Sequence, residues 1–144
     1  MILREIKDIE PIDVGKPFGM PEGSMIIQWI FHNQVGDERY HHKFAVRKYM
    51  LKPVDPSAIP FHNHKYVQSL TVLSGRMKCE SPSGVVEAGP GDSVCFYENE
   101  PHKAVPIGEG KTEVLCIIDC LNGGENCFAV EPKSIETLTE ILHQ

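Results

Sequence analysis

Residues 60–68 read PFHNHKYVQ, and residues 101–102 read PH. Side chains alternate between the two faces of a β-strand, so His62, His64 and Gln68 point to the same side if the strand is unbroken. Two imidazoles about 7 Å apart along one strand can converge on a single ion. We therefore interpret this stretch as part of a metal site carried on β-strands, with His102 as a further imidazole.

Glycine and proline punctuate the chain roughly every eight to twelve residues. The intervals are rich in Val, Ile, Phe, Tyr and Thr and alternate with period two, which predicts an all-β sandwich or barrel. We expect strands near 24–32, 41–52, 66–74, 76–81, 84–88, 92–97, 102–107, 112–120 and 127–131. The turn sequences at 81–84 and 88–92 each predict a hairpin.

The composition fits one ordinary globular domain. The chain has 144 residues, of which 41% are hydrophobic and 24% charged. A net charge of −6 without a long basic cluster argues against a nucleic-acid partner. The mixed amino terminus does not resemble a signal peptide, and no stretch is long enough to cross a bilayer. We expect a cytoplasmic protein that has no membrane partner.

Cysteine usage and the chain ends suggest further features. Five cysteines are an odd number without an export signal, which favours reduced thiols. Cys120 and Cys127 either pair, hold a metal, or are incidental thiols. We expect a single domain with an arm and leading strands over 1–40, a barrel over 41–131 and a helix over 132–144. The Gly- and Pro-rich segment 10–23 would pack on the barrel or on a neighbouring subunit.

The spacing of the site residues is more specific than any one of them. The chain reads His62-x-His64-x3-Gln68-x6-Gly75, and after fifteen intervening residues it continues with Gly91 and then His102. This pattern resembles the two motifs of the cupin superfamily, in particular of its small single-domain microbial members. The resemblance implies a double-stranded β-helix, or jelly roll. It also implies a homodimer.

The sequence departs from the cupin motifs at several positions. Pro56, Tyr97, Asn99 and Pro106 stand where the family usually has glycine, proline, glycine and asparagine. The change at Asn99 is the mildest, because asparagine tolerates positive φ better than most residues. The turn that delivers the last histidine can therefore survive.

The resemblance implies that His62, His64 and His102 are metal ligands, with Gln68 in place of the usual glutamate. Gln68 either binds the ion or hydrogen-bonds to a ligand. A neutral amide would leave the charge of a divalent ion uncompensated by protein, which favours an anionic ligand or substrate.

Four further residues are candidates for the cavity. Alternation over 112–120 places Cys116 on the inward face, either as a candidate catalytic residue in the metal cavity or as a buried apolar thiol. The resemblance favours an inward Arg47 that clamps a carboxylate or enolate, with a surface arginine as the alternative. Tyr49 shares the parity of Arg47 and is a second candidate for binding substrate. Tyr66 is inward by parity, as core or as a phenol donor.

Three imidazoles and a neutral or absent fourth group suit a divalent transition metal, such as Fe, Mn, Ni, Cu or Zn, better than calcium or magnesium. The resemblance implies a metal-dependent dioxygenase acting on a small enolisable or diketone-like substrate. The alternatives are metal-assisted isomerase, decarboxylase or lyase chemistry, and a cupin that binds a small molecule or metal without catalysis.

Overall fold

The computed structural model describes residues 1–32 and 37–119, and they form two antiparallel β-sheets. In chain order the strands are β1 (Ile12–Asp13), β2 (Met25–Phe31), β3 (Phe44–Leu51), β4 (Gln68–Ser74), β5 (Arg76–Ser81), β6 (Gly84–Ala88), β7 (Ser93–Phe96), β8 (Lys103–Ile107) and β9 (Thr112–Asp119). One sheet has the order β1-β2-β3-β9-β4-β7, and the other has the order β6-β5-β8. Short 3-10 turns lie at Ile6–Asp8, Glu38–Tyr40 and Pro56–Ala58.

This architecture confirms the prediction of an all-β jelly roll. Each strand predicted within the described residues is present, with ends that differ by up to three residues. The predicted strand over 127–131, the helix over 132–144 and the two cysteines at 120 and 127 lie outside the described residues. The short strand β1 was not predicted, because two residues are too few for a periodic pattern.

The core lies between the two sheets and follows the alternation of β3 and β9. These strands pair antiparallel, with Arg47 opposite Cys116 and Tyr49 opposite Val114. All four side chains point inward and are buried. A fully buried valine or isoleucine stabilises the fold by about 1.5–3 kcal/mol, so an inward face lined by such residues makes the register hard to shift.

The turn over 88–92 does not close a hairpin, contrary to the prediction. Strand β6 pairs only with β5 among the named strands, whereas β7 pairs with β4 in the other sheet. The turn is held instead by backbone bonds from Gly91 N to Val72 O and from Val72 N to Asp92 O. The turn therefore connects a strand of one sheet to a strand of the other. Turn residues alone do not determine whether a turn closes a hairpin or crosses between sheets.

The amino-terminal segment packs on its own barrel. Strand β1 pairs with β2, and Val14 is fully buried in the core. The Gln28 side chain donates to the carbonyls of Ile6 and Ile9 at 3.2 and 2.9 Å. Of the two positions expected for this arm, the described residues occupy the one on the barrel. No helix within the described part of the chain is long and apolar enough to cross a membrane.

The turn between β4 and β5 generates a stability prediction. Gly75 has φ of 79°, and a Cβ there would lie 2.8 Å from Thr112 Cα and 2.9 Å from Lys111 O. Gly108 also has positive φ, 92°, but a Cβ there would meet nothing within 4 Å. We expect Gly75→Ala to lower the free energy of unfolding by about 3 kcal/mol and Gly108→Ala by only about 1 kcal/mol. Urea unfolding measures both, and equal losses would contradict the close backbone approach at Gly75.

Candidate metal centre

Two separate segments meet at the histidines. His62 N donates to His102 O at 3.0 Å, and His102 N donates to His62 O at 2.8 Å. This isolated antiparallel bridge sets the segment that leads into β4 beside the one that leads into β8. The chain bends at Lys65 and Tyr66 before β4 begins, so the unbroken strand considered from the sequence is absent. Strand alternation therefore does not explain why the histidines converge.

The three imidazoles of His62, His64 and His102 form one compact group. Their ring centroids are 4.5 Å apart for His62 and His102, 4.8 Å for His64 and His102, and 5.9 Å for His62 and His64. One nitrogen atom from each ring lies within 4.8 Å of the others. This group could hold a metal ion.

Backbone carbonyls set the tautomer of each ring. His62 Nδ1 lies 3.4 Å from Pro60 O, and His64 Nδ1 lies 2.9 Å from Tyr66 O. His102 Nδ1 lies 2.7 Å from Glu100 O. A carbonyl oxygen only accepts, so each Nδ1 carries the proton and each Nε2 keeps its lone pair. His102 Nε2 is buried without a hydrogen-bond partner. A lone pair in that state is what a metal ligand requires.

Burial keeps these imidazoles neutral. It lowers the pKa of His64 to about 4, and it also lowers the pKa of His62 and His102. The neighbouring His102 adds to the effect at His62, because like charges repel. The ring nitrogens are therefore available to a cation at neutral pH without first losing a proton.

The turn before His102 has the conformation that asparagine permits. Asn99 has φ of 58°, and its N–H donates to His64 O at 2.8 Å. The Glu100 carboxylate accepts from Tyr97 N at 2.9 Å and completes the turn. Asparagine thus replaces the usual glycine while keeping this segment attached to the histidine segment.

Aromatic rings hold two of the imidazoles in place. Tyr66 stacks on His64 with centroids 4.0 Å apart and planes 10° apart, and Phe96 stacks on His102 at 4.0 Å and 9°. Sequence reasoning missed Phe96. The signal that would have found it is the pairing of β7 with β4, which places Phe96 opposite Gln68.

Gln68 begins β4 and contacts both the histidines and the barrel interior. Its Oε1 lies 3.1 Å from His64 Nε2, and its Nε2 donates to Cys116 Sγ at 3.1 Å. The side chain is buried. The amide is therefore placed between an imidazole of the group and the inward thiol of β9.

Arg47 is fully buried in the same interior. Its Nη2 donates to Cys116 Sγ at 3.1 Å, and its guanidinium lies 5.1 Å from the ring centroids of Trp29 and Tyr49. Its Nε has no hydrogen-bond partner. Sequence reasoning missed Trp29, whose place follows from the register of β2, in which it is opposite Arg47.

The two tyrosine candidates are also buried in the protein interior. Tyr49 and Tyr66 are 7% and 2% exposed, and burial raises the pKa of both phenols well above the usual range. The Tyr66 hydroxyl is near the Arg47 guanidinium but makes no hydrogen bond of normal geometry. Both rings therefore present protonated phenols to the interior.

His32, which the sequence did not single out, is buried behind Trp29 with ring centroids 4.8 Å apart. Burial, and then the charge of Arg47, lower its pKa to about 3. Between about pH 3 and pH 6.5 the unfolded chain binds a proton at His32 that the folded chain does not, so the free energy of unfolding falls as pH falls.

His32→Gln should make the free energy of unfolding less dependent on pH. In chelator-treated protein the reduction should be up to about 1.4 kcal/mol per pH unit. Urea unfolding of the wild type and the variant at pH 7, 6 and 5 measures this dependence. The same dependence on pH in both proteins would contradict a neutral buried His32.

The architecture is shared with solved structures of low sequence identity. The polyketide cyclase RemF from Streptomyces resistomycificus is 18% identical, with a TM-score of 0.64, and the match covers 96% of this chain and 93% of that chain. A predicted oxalate decarboxylase from Thermotoga maritima is 18% identical, with a TM-score of 0.66 and coverage of 82% and 98%. A cupin sugar phosphate isomerase from Silicibacter pomeroyi is 15% identical, with a TM-score of 0.63 and coverage of 82% and 75%.

These three proteins differ in their stated activities, so the likeness concerns the fold. No curated protein matches the sequence. The Cupin_2 model, described as a cupin domain, matches residues 50–118, a range that includes His62, His64, Gln68 and His102. This match identifies residues 50–118 as a cupin domain, and the jelly-roll architecture of the described residues agrees with it.

Proposed function

We propose that this cupin binds a divalent transition metal through His62, His64 and His102, with Gln68 as a fourth ligand. We further propose that it is a dioxygenase, an oxidoreductase acting on a small enolisable or diketone-like substrate. The observation that carries the proposal is the convergence of three imidazoles whose Nε2 lone pairs are free of protons.

The donor set fits a transition metal. Three imidazole nitrogens and one amide oxygen are neutral, and they suit Fe, Mn, Ni, Cu or Zn better than the oxygen-rich cages that calcium and magnesium prefer. Gln68 Oε1 and His64 Nε2 are 3.1 Å apart. Two ligands at about 2.1 Å from one ion and at right angles are separated by a similar distance. This agreement favours Gln68 as a ligand.

Arg47 supports an anionic substrate. None of the ion pairs formed by the described residues involves it. A buried cation without an anionic partner is costly, and a bound carboxylate or enolate would offset that cost. The free Nε atom and the nearby Tyr66 hydroxyl are two donors for such a group. They would orient the anion, while the metal, when bound, would supply redox or Lewis-acid chemistry.

Isomerase, decarboxylase or lyase chemistry is the second candidate, since two of the similar structures are named as a sugar phosphate isomerase and a predicted oxalate decarboxylase. Such chemistry usually needs a general base near the metal. No carboxylate is buried among the residues that the structure describes. In this proposal the imidazoles of His62, His64 and His102 bind the metal, so the groups left beside it are protonated phenols, which cannot accept a proton, and this favours the dioxygenase. A binding protein without catalysis is the third candidate.

We also propose that the protein is cytoplasmic and forms a homodimer. Phe44, Leu73 and Ile117 expose between 41% and 45% of their surface on the six-stranded sheet. A second copy could cover such apolar side chains.

The activity is tested with metal-loaded protein. We expect O2 uptake with at least one member of a panel of β-diketones, thiols and flavonols, followed with an oxygen electrode. Bound metal without O2 uptake would contradict the dioxygenase. Deuterium exchange at the substrate's α-carbon would then distinguish isomerase-type chemistry from simple binding.

His62→Ala should remove most of the bound metal at a modest chelator concentration, because one of three imidazole bonds is lost. His42→Ala is the matched control, since His42 is a half-buried histidine outside the group. Elemental analysis after dialysis measures the metal per chain. Unchanged metal content in the His62 variant would show that His62 is not a ligand.

Arg47→Met should lower kcat/KM for an anionic substrate by about 10- to 100-fold, mainly through KM, because a charged hydrogen bond contributes about 1.5–3 kcal/mol. Lys48→Met is the control, since Lys48 is on the same strand but faces outward, 3.5 Å from Glu113. Removing the buried charge should leave the protein at least as stable as the control. A KM equal to that of the control would exclude Arg47 from substrate binding.

A further inference from the structure

Cys116 Sγ is the point at which two side chains of the site meet. Arg47 Nη2 and Gln68 Nε2 each donate a hydrogen bond to it at 3.1 Å, and the cysteine is fully buried. We propose that Cys116 is a positioning residue that fixes the Gln68 amide with its carbonyl oxygen towards the metal. This inference rests on the proposed metal site.

The amide has two orientations of nearly equal shape, and only one of them serves a metal. With Nε2 on the sulfur, Oε1 faces His64 Nε2 at 3.1 Å. That nitrogen carries a lone pair, because His64 Nδ1 donates its proton to Tyr66 O. Neither atom can donate to the other, so the contact is a pair of acceptors. A cation shared by both atoms stabilises such a pair.

The rotated amide would oppose metal binding. Its NH2 group would face His64 Nε2 and donate to the lone pair that the ion needs, and an amide nitrogen is not a ligand. Rotation would also break the bond from Gln68 to Cys116. The Arg47 cation beside the sulfur favours its role as an acceptor, which keeps the amide NH2 on that side.

A purely structural role for Cys116 makes a different prediction. The sequence alternative is a buried thiol that fills the core, and Cys79 is such a residue, 2% exposed on β5 in the other sheet. If Cys116 only fills the core, loss of Cys116 and loss of Cys79 would lower the free energy of unfolding by similar amounts. Neither loss would change metal affinity. The positioning role predicts instead that metal affinity depends on Cys116 only while residue 68 is an amide.

The test is titration of metal-free protein with Co²⁺, read from its visible absorption. Cys116→Ala should weaken Co²⁺ binding by about 10- to 100-fold and alter the spectrum, as is usual when a group that orients a ligand is lost. Cys79→Ala should bind like the wild type. Cys116→Ser should lose less than Cys116→Ala, because a hydroxyl oxygen still accepts. In a Gln68→Glu background, Cys116→Ala should have little effect, since a carboxylate presents an oxygen in either orientation.

Equal Co²⁺ affinity in the Cys116→Ala and Cys79→Ala proteins would overturn the inference. An equal loss from Cys116→Ala with and without the Gln68→Glu substitution would do so as well, as would a serine variant no better than alanine. Failure of the metal site itself is distinguishable, because the wild type would then bind no Co²⁺. If Cys116→Ala does not fold, Cys116→Val in both backgrounds gives the same comparison, because valine is of similar size but accepts no hydrogen bond.

Discussion

The candidate site depends on one pair of backbone hydrogen bonds. The reciprocal bonds between His62 and His102 join segments that are forty residues apart in the sequence. Neither segment is part of a longer ladder at that point, because β4 starts at Gln68 and β8 at Lys103. The bridge lets the chain bend at Lys65 while its histidines stay together. Residues just outside the regular strands can thus be arranged for chemistry on a rigid sheet scaffold.

The interior contains polar groups that a core built only for stability would avoid. Arg47 is fully buried without an ion pair among the described residues, and Tyr66 OH and His102 Nε2 are buried without partners. Burying such groups costs free energy unless something binds them. The costs are concentrated where the histidines, the guanidinium and the phenols lie together. That concentration, more than any single residue, supports a site for a metal and an anion.

The sequence predicted the strands well, because β-branched and aromatic residues alternate clearly in segments such as β3 and β9. It did not predict which sheet a strand joins. The turn at 88–92 passes between sheets, and this depends on contacts with Val72 that are remote in sequence.

For the site, spacing was enough to nominate the histidines and Gln68. It was not enough to find Phe96 or Trp29, whose positions follow from strand register. The convergence of the histidines also has a different cause from the one expected, since the chain bends where a continuous strand was assumed. The sequence motif thus identifies the histidines that come together. The backbone bridge between His62 and His102 and the carbonyls that face each Nδ1 explain their positions and orientations.

The most direct test of the account is anomalous X-ray diffraction from crystals of the protein loaded with a divalent transition metal. If the three imidazoles hold the ion, there is one peak per chain, about 2.1 Å from the Nε2 atoms of His62, His64 and His102. A peak elsewhere, or histidine rings that turn away from one another with no ion between them, would contradict it.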